Sequence, residues 1–186
     1  EDSEVIAKLD DTSFLDIVAA QNEEQLNDLP DELKDEYGRA SAETVEANLR
    51  EVIRKDSPFN PAYYGKLSII LQELIDKRKK EMLDYEEYMK ELIELVKKAR
   101  GKSANSYPES IKTPGMRALY DNLGQNEYLA IRAHEVIKEN ALVGFRDNRL
   151  KQRKLIKAFA KLLGDEMAQM IYDIIKLHDE YGKGYC

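Results

Sequence analysis

Apolar side chains recur at steps of three and four residues through most of this chain, which is the spacing of one face of an α-helix. The pattern is clearest between residues 57 and 101, where it is bounded by helix start and stop signals. Asn60 can cap a helix that begins at Pro61, and Gly101 can end one. Sustained alternation of apolar and polar residues, which is typical of strands, is missing. The sequence therefore predicts an all-α fold.

The two central helices predicted by this spacing are long and adjacent in the sequence. Pro61 begins the first, and a capping box of Asp84 and Glu87 begins the second after a short break around Leu83. The apolar seams are formed by Tyr64, Leu67, Leu71 and Leu74 in the first helix and by Tyr85, Tyr88, Leu92, Leu95 and Ala99 in the second. Because the connection is short, we expect a long antiparallel helical hairpin within a multi-helix bundle.

Further helices are predicted on both sides of the hairpin. They are a helix that follows Ser41, one from Pro114 to Gly124, one over residues 126–140, a basic helix over residues 149–163 and a last one from Gly164 to Gly182. The first 60 residues instead hold 17 Asp and Glu residues against six Lys and Arg residues. We therefore divide the chain into an acidic, partly helical connector over residues 1–40 and a C-terminal helical domain over residues 41–186.

Cysteine use and hydropathy indicate a cytoplasmic protein. The only cysteine is Cys186, so an internal disulfide is impossible and a reducing compartment is expected. No apolar run approaches the roughly 20 residues that a membrane-spanning helix needs, and the chain does not begin with a secretory signal pattern. It starts at Glu1 rather than at Met, as expected for a piece of a longer protein.

The sequence does not contain the motifs of common catalytic sites. A phosphate-binding loop of the form G-x-x-x-x-G-K-[ST] is missing, and His134-Glu135 begins an H-E-x-x-H zinc motif that fails at Lys138. The stretch PDELK over residues 30–34 resembles elements of metal-dependent nucleases. In those enzymes the elements lie on separate strands, whereas here they are contiguous in an acidic stretch with no strand pattern. Two histidines and one terminal cysteine are too few for a structural zinc site of the usual type. We expect no catalytic residue, metal or cofactor.

The aromatic and imidazole side chains are better explained by packing than by chemistry. Helical register places the four tyrosines Tyr63, Tyr64, Tyr85 and Tyr88 on core-facing positions rather than on a base-stacking surface. His134 and His178 have neither a nucleophile nor an orienting carboxylate in a recognisable pattern, so packed histidines are expected.

The basic segment GFRDNRLKQRKLIKAF, residues 144–159, stands out in a chain with a formal net charge of −7. Projected at about 100° per residue, the helix over 149–163 separates an apolar face from a basic one. The apolar face holds Leu155, Ile156, Phe159, Leu162 and Leu163, and the basic face holds Arg153, Lys154, Lys157 and Lys161. This face is open to three interpretations: solvation alone, contact with an acidic protein surface or with acidic residues of this chain, and contact with nucleic acid. The acidic composition, with a pI near 5.1, disfavours DNA binding by this chain alone.

Three segments, taken in order, carry a resemblance to the C-terminal helical region of type I restriction endonuclease R subunits (HsdR type). They are FNPAYYGKLSIILQELIDKRKKEMLDYEEYMKELIELVKKAR, YPESIKTPGMRALYDNL and FRDNRLKQRKLIKAFAKLL. The resemblance covers residues 57–163, is weaker over the last helix and does not extend before residue 41. The chain lacks the nuclease and motor motifs of a complete R subunit.

The resemblance implies a role in assembly. In that family an R subunit is an ATP-dependent restriction endonuclease and translocase, and its helical end helps to fasten the motor to a core of methyltransferase and specificity subunits. We therefore expect a non-catalytic docking domain with those subunits as partners. The expected contact residues are Arg146, Arg149, Arg153 and Lys154, with Tyr63 and Tyr64 as secondary candidates. The alternatives are an accessory domain that contacts DNA through the basic helix and, with less support, a small independent enzyme.

Overall fold

The computed structural model describes residues 15, 16, 18, 19, 42–101, 107–141 and 143–182. Within these ranges all regular structure is helical and no strand occurs, so the predicted all-α, multi-helix fold is confirmed. The helices are α1 (Ala42–Asp56), α2 (Pro61–Lys79), α3 (Tyr85–Ala99), α4 (Pro114–Asn122), α5 (Glu127–Asn140), α6 (Arg149–Leu163), α7 (Asp165–Ile175) and α8 (Asp179–Gly182). A 3₁₀ turn, Phe145–Asp147, precedes α6.

Side-chain caps explain where most of these helices begin. Asp84 accepts a hydrogen bond from the Glu87 amide at 2.8 Å, and Asn60 accepts one from the Tyr63 amide at 3.3 Å. The same geometry recurs at Thr113 before α4, at Asn126 before α5 and at Asn148 before α6. Each cap satisfies an amide that the first helical turn leaves without a partner. The caps predicted at Asn60, Asp84 and Thr113 are therefore confirmed, whereas Ser41 lies outside the described residues.

The last helix is shorter than predicted. Instead of continuing to Gly182, α7 ends at Ile175 and a separate turn of helix, α8, follows. Amides 177 and 178 bond to carbonyls three residues earlier, which tightens the chain out of the α-helix. The carbonyl of His178 then accepts a hydrogen bond from Arg146 at 2.6 Å. Contacts with distant residues thus break a helix that local spacing would extend.

The chain divides into two compact units. The first consists of Glu1–Lys55 and Tyr64–Ala104, and the second of Asp56–Tyr63 and Asn105–Cys186. Most residues of the acidic segment lie outside the described part, so the boundary expected after residue 40 stays a prediction. Of its described residues, Leu15 and Val18 are buried in the first unit. Asp16 forms a bidentate salt bridge with Arg100, which donates to both carboxylate oxygens.

Arg78 connects the three long helices of the first unit. Its guanidinium donates to Glu43 of α1 at 2.7 Å and lies 4.7 Å from the ring centre of Tyr88 in α3. The Tyr88 hydroxyl donates to Glu46 of α1 at 3.0 Å. Burial and the neighbouring Glu46 carboxylate raise the pKa of Tyr88 to about 12. These contacts join the end of α2 to the start of α3, while packing along the full length of the expected hairpin stays a prediction.

The second unit has a core rich in aromatic side chains. Phe145, Phe159 and Tyr181 are fully buried at its centre, among apolar residues of α4, α5, α6 and α7. Helix α6 packs most extensively against α7 and also against α5. The reversal between α6 and α7 occurs at Gly164, whose φ of 86° is readily adopted only by glycine. Among the described helices, none is long and apolar enough to cross a membrane.

Candidate docking site

Helix α6 is built with one buried and one exposed face. Asn148 caps it by accepting from the amides of Leu150 and Lys151 at 3.0 and 3.1 Å. Leu155 and Phe159 are fully buried against the core of the second unit. This anchoring fixes the rotation of the helix and turns its charged side outward.

The exposed face of α6 carries charges of one sign only. Five exposed residues share it, and they are Arg149, Arg153, Lys154, Lys157 and Lys161. The helix contains no acidic residue. Within the described ranges, none of these five side chains forms a hydrogen bond or an ion pair. We call these five residues the basic face; the exposure predicted by the helical projection is confirmed for Arg153, Lys154, Lys157 and Lys161, while a partner for them stays a prediction.

A large apolar residue lies at the N-terminal end of the basic face. Leu150 is 76% exposed, more than any other large hydrophobic residue in the described part of the chain. Measured around the helix at about 100° per residue, it lies between Arg153 at about 40° and Lys154 at about 140° from Arg149. Helical spacing therefore places Arg149, Arg153 and Lys154 next to this leucine on the helix surface. Sequence reasoning did not select Leu150, although the same projection places it off the apolar face.

The start of α6 is electrostatically unfavourable. A helix has partial positive charge at its N-terminus, so acidic residues stabilise the first turn and basic residues destabilise it. The first turn of α6 has no acidic residue and contains Arg149 and Lys151, whereas α3, α5 and α7 all begin with acidic residues. Helix stability therefore does not explain why Arg149 occupies this position.

Replacing Arg149 by Gln should stabilise the second unit by about 0.3 to 1 kcal/mol, because a positive charge leaves the positive end of the helix. Lys161→Gln is the matched control. It removes a charge from the last turn, where basic residues are favourable, and like Arg149 it has one basic neighbour four residues away. We expect opposite shifts of the thermal unfolding midpoint for the two variants. Equal shifts of the unfolding midpoint would mean that the helix dipole does not determine how charges at the two ends of α6 affect stability.

Arg146 occupies a different environment from the basic face. Its guanidinium donates to the carbonyl of His178 and lies 3.4 Å from the Asp179 carboxylate. A Cβ atom at Gly182 would come within 2.7 Å of it. The side chain is half-buried and connects the turn before α6 to α8. Arg146 therefore has a structural role that its sequence neighbourhood did not reveal.

Tyr63 and Tyr64 are half-buried rather than exposed. Burial, together with the negative charge of Asp121, raises the pKa of Tyr63. Tyr64 belongs to the first unit, and both tyrosines make contacts within the chain. Core packing, predicted for all four helical tyrosines, is complete only for Tyr88.

A polar network in the second unit escaped the sequence analysis. The Asp121 carboxylate accepts from the Asn60 amide at 2.6 Å and from the Tyr107 hydroxyl at 2.7 Å. Asn122 donates to Asn60 at 2.8 Å and accepts from the amide of Ala62 at 3.2 Å. Burial and the hydrogen bond to Asp121 raise the pKa of Tyr107. These residues come from the Asn-Pro, YPES and RALYDNL segments of the resemblance, so the segments meet in space.

Both histidines are packed, as predicted. His178 is buried, and its Nε2 donates to the carbonyl of Phe59 at 2.8 Å, since a carbonyl can only accept. His134 is half-buried, with Nδ1 3.0 Å from the hydroxyl of Tyr181. Burial, with a smaller effect of Lys138, lowers the pKa of His134. In the described ranges, no group of three or more His, Cys, Asp or Glu side chains could hold a metal ion. The PDELK stretch lies outside them.

Comparison with models of protein families, with curated proteins and with solved structures found no match.

Proposed function

We propose that this chain is a non-catalytic helical docking domain, which fastens a type I restriction endonuclease R subunit to its methyltransferase and specificity core in the cytoplasm. The observation that carries the proposal is the basic face of α6. Its five charges are exposed and without intramolecular partners in the described part of the chain. The first turn of the helix also carries basic residues, which the helix dipole disfavours at that end. The three-segment resemblance supplies the identity of the partner.

The chemistry of the basic face suits a protein interface. Arginine presents a planar set of donors that pairs with carboxylates in two-pronged geometry, and lysine adds charge that accelerates encounter. Because both types project from a helix held by a buried core, the backbone needs little further ordering on binding, and the remaining ordering cost falls on the side chains. The polar network around Asp121 and the Arg146 contacts stabilise the second unit that presents this face.

The test is comigration of the chain with the purified methyltransferase and specificity core in size-exclusion chromatography. At micromolar concentration we expect a joint peak for the unchanged chain, and its loss for the triple variant Arg149→Glu, Arg153→Glu, Lys154→Glu. Acidic residues near the start of α6 favour the helix, so this variant should stay folded.

The matched control for this test makes the same charge change on α2. Lys77→Glu, Lys79→Glu and Lys80→Glu replace three exposed lysines at and just after the end of that helix. The control should still comigrate with the core. Separate elution of the unchanged chain and the core at micromolar concentration contradicts the proposed function.

The second candidate is an accessory domain that contacts DNA, favoured by the absence of any acidic residue from α6. Phosphate binding weakens by roughly 0.9 log units per log unit of salt for each phosphate neutralised. A titration of duplex DNA between low and physiological salt therefore separates this role from protein docking. Undetectable binding at low salt eliminates the DNA-contacting role.

A further inference from the structure

We propose that Leu150 is the apolar centre of the docking surface, and that this surface fits a shallow apolar pocket ringed by carboxylates on the partner protein. The inference rests on the proposed function and adds the chemistry of the partner. It comes from the position of one residue: a leucine, 76% exposed, at the N-terminal end of a face whose five charged residues are all basic.

Leu150 has no structural role that accounts for its size. It lies in the first turn of α6, where the Asn148 cap bonds to its backbone amide and not to its side chain. The buried side of the helix is held instead by Leu155 and Phe159. An exposed leucine is common on protein surfaces, but this one has Arg149, Arg153 and Lys154 beside it on the helix, so an apolar side chain and basic charges are combined as in the centre and rim of a binding hot spot. In those sites an apolar centre is desolvated inside a ring of polar contacts.

Val143 is a second exposed apolar residue near the start of α6 in the chain. This residue is 54% exposed, and its carbonyl accepts a hydrogen bond from Lys151 Nζ at 2.6 Å. The bond holds the chain before the 3₁₀ turn against the first turn of α6. A second exposed apolar residue therefore lies in the chain segment that is bonded to the first turn of α6.

Basic charge together with an exposed leucine favours an acidic protein over a nucleic acid as the occupant. Phosphates would pair with the basic ring but would leave Leu150 in water, whereas a protein surface can supply both carboxylates and an apolar pocket. An acidic partner also explains the basic residues in the first turn of α6. Their charges, unfavourable in the free helix, gain partners in the complex.

The experiment measures the affinity of the 186-residue chain for the methyltransferase and specificity core by isothermal titration calorimetry. We expect Leu150→Ala to weaken binding roughly tenfold or more, as truncation of a central hot-spot residue does. Ile69→Ala is the matched control, because Ile69 is a similarly exposed aliphatic residue (62%) on α2. It should bind like the unchanged chain. Circular dichroism confirms that both variants keep their helical content.

The outcomes separate this inference from the function beneath it. If the unchanged chain fails to bind the core, both are overturned. If it binds and Leu150→Ala binds equally well, the docking function stands and the apolar centre is wrong. If the unchanged chain binds a 30-base-pair duplex and the three glutamate substitutions on α6 weaken only that binding, the acidic protein pocket is wrong.

Discussion

A Gly115→Ala substitution should destabilise the second unit by about 1 to 3 kcal/mol, the range for inserting atoms into a closely packed site. Gly115 lies in the first turn of α4, where α8 closes over it. A Cβ atom at this position would clash with the Glu180 carboxylate and lie 2.5 Å from a ring carbon of Tyr181. Neither neighbour can easily move, because Tyr181 is fully buried and the Glu180 carboxylate bonds to Thr113 at 2.6 Å and to the Gly115 amide at 3.2 Å.

The same substitution at Gly65 should have the opposite effect. Gly65 lies within α2, and a Cβ atom there would meet nothing within 4 Å. Alanine is favoured over glycine in a helix interior, so Gly65→Ala should stabilise the chain by up to about 1 kcal/mol. Urea unfolding followed by circular dichroism measures both changes, and hydrogen exchange assigns each one to its unit. A stable Gly115→Ala variant would contradict the close packing of α8 on α4.

An Asp121→Ala substitution should destabilise the second unit by about 2 to 4 kcal/mol. It removes the acceptor shared by the Asn60 amide and the Tyr107 hydroxyl, and a buried donor left without a partner costs roughly 1 to 3 kcal/mol. Tyr107→Phe removes a single hydrogen bond from the same network and should cost about 1 kcal/mol.

Urea unfolding of the two single variants and of the double variant tests the coupling within this network. Because Asp121→Ala already breaks the Tyr107 bond, adding Tyr107→Phe should cost less than it does alone. Strict additivity of the two losses of unfolding free energy would show that the two side chains do not interact.

The helices could be predicted from the sequence because their signals are local. A cap such as Asp84 or Thr113 acts on an amide three residues away, so its effect is visible in the order of residues. The basic face of α6 follows from the same local periodicity, once Leu155 and Phe159 are assigned to the core.

The parts that could not be predicted depend on residues far apart in the chain. Arg146 resembles Arg149 in sequence but bonds to a carbonyl 32 residues away, and His178 bonds to a carbonyl 119 residues away. These contacts accompany the end of α7 and hold the Arg146 side chain within the second unit, whereas Arg149 is exposed. The Asp121 network was missed for the same reason, since Asn60 lies 61 residues before Asp121. The exposure of Leu150 could have been predicted from the sequence, because its angular position on the helix separates it from the apolar face.

The short helix α8 has a practical consequence for anyone who shortens this protein for crystallisation or fuses it to a reporter. Its four residues supply the fully buried ring of Tyr181 and the Glu180 carboxylate that bonds to the start of α4. Deletion of everything after Ile175 would therefore leave a cavity the size of an aromatic ring next to α4 and α5. A truncated chain should end no earlier than Gly182.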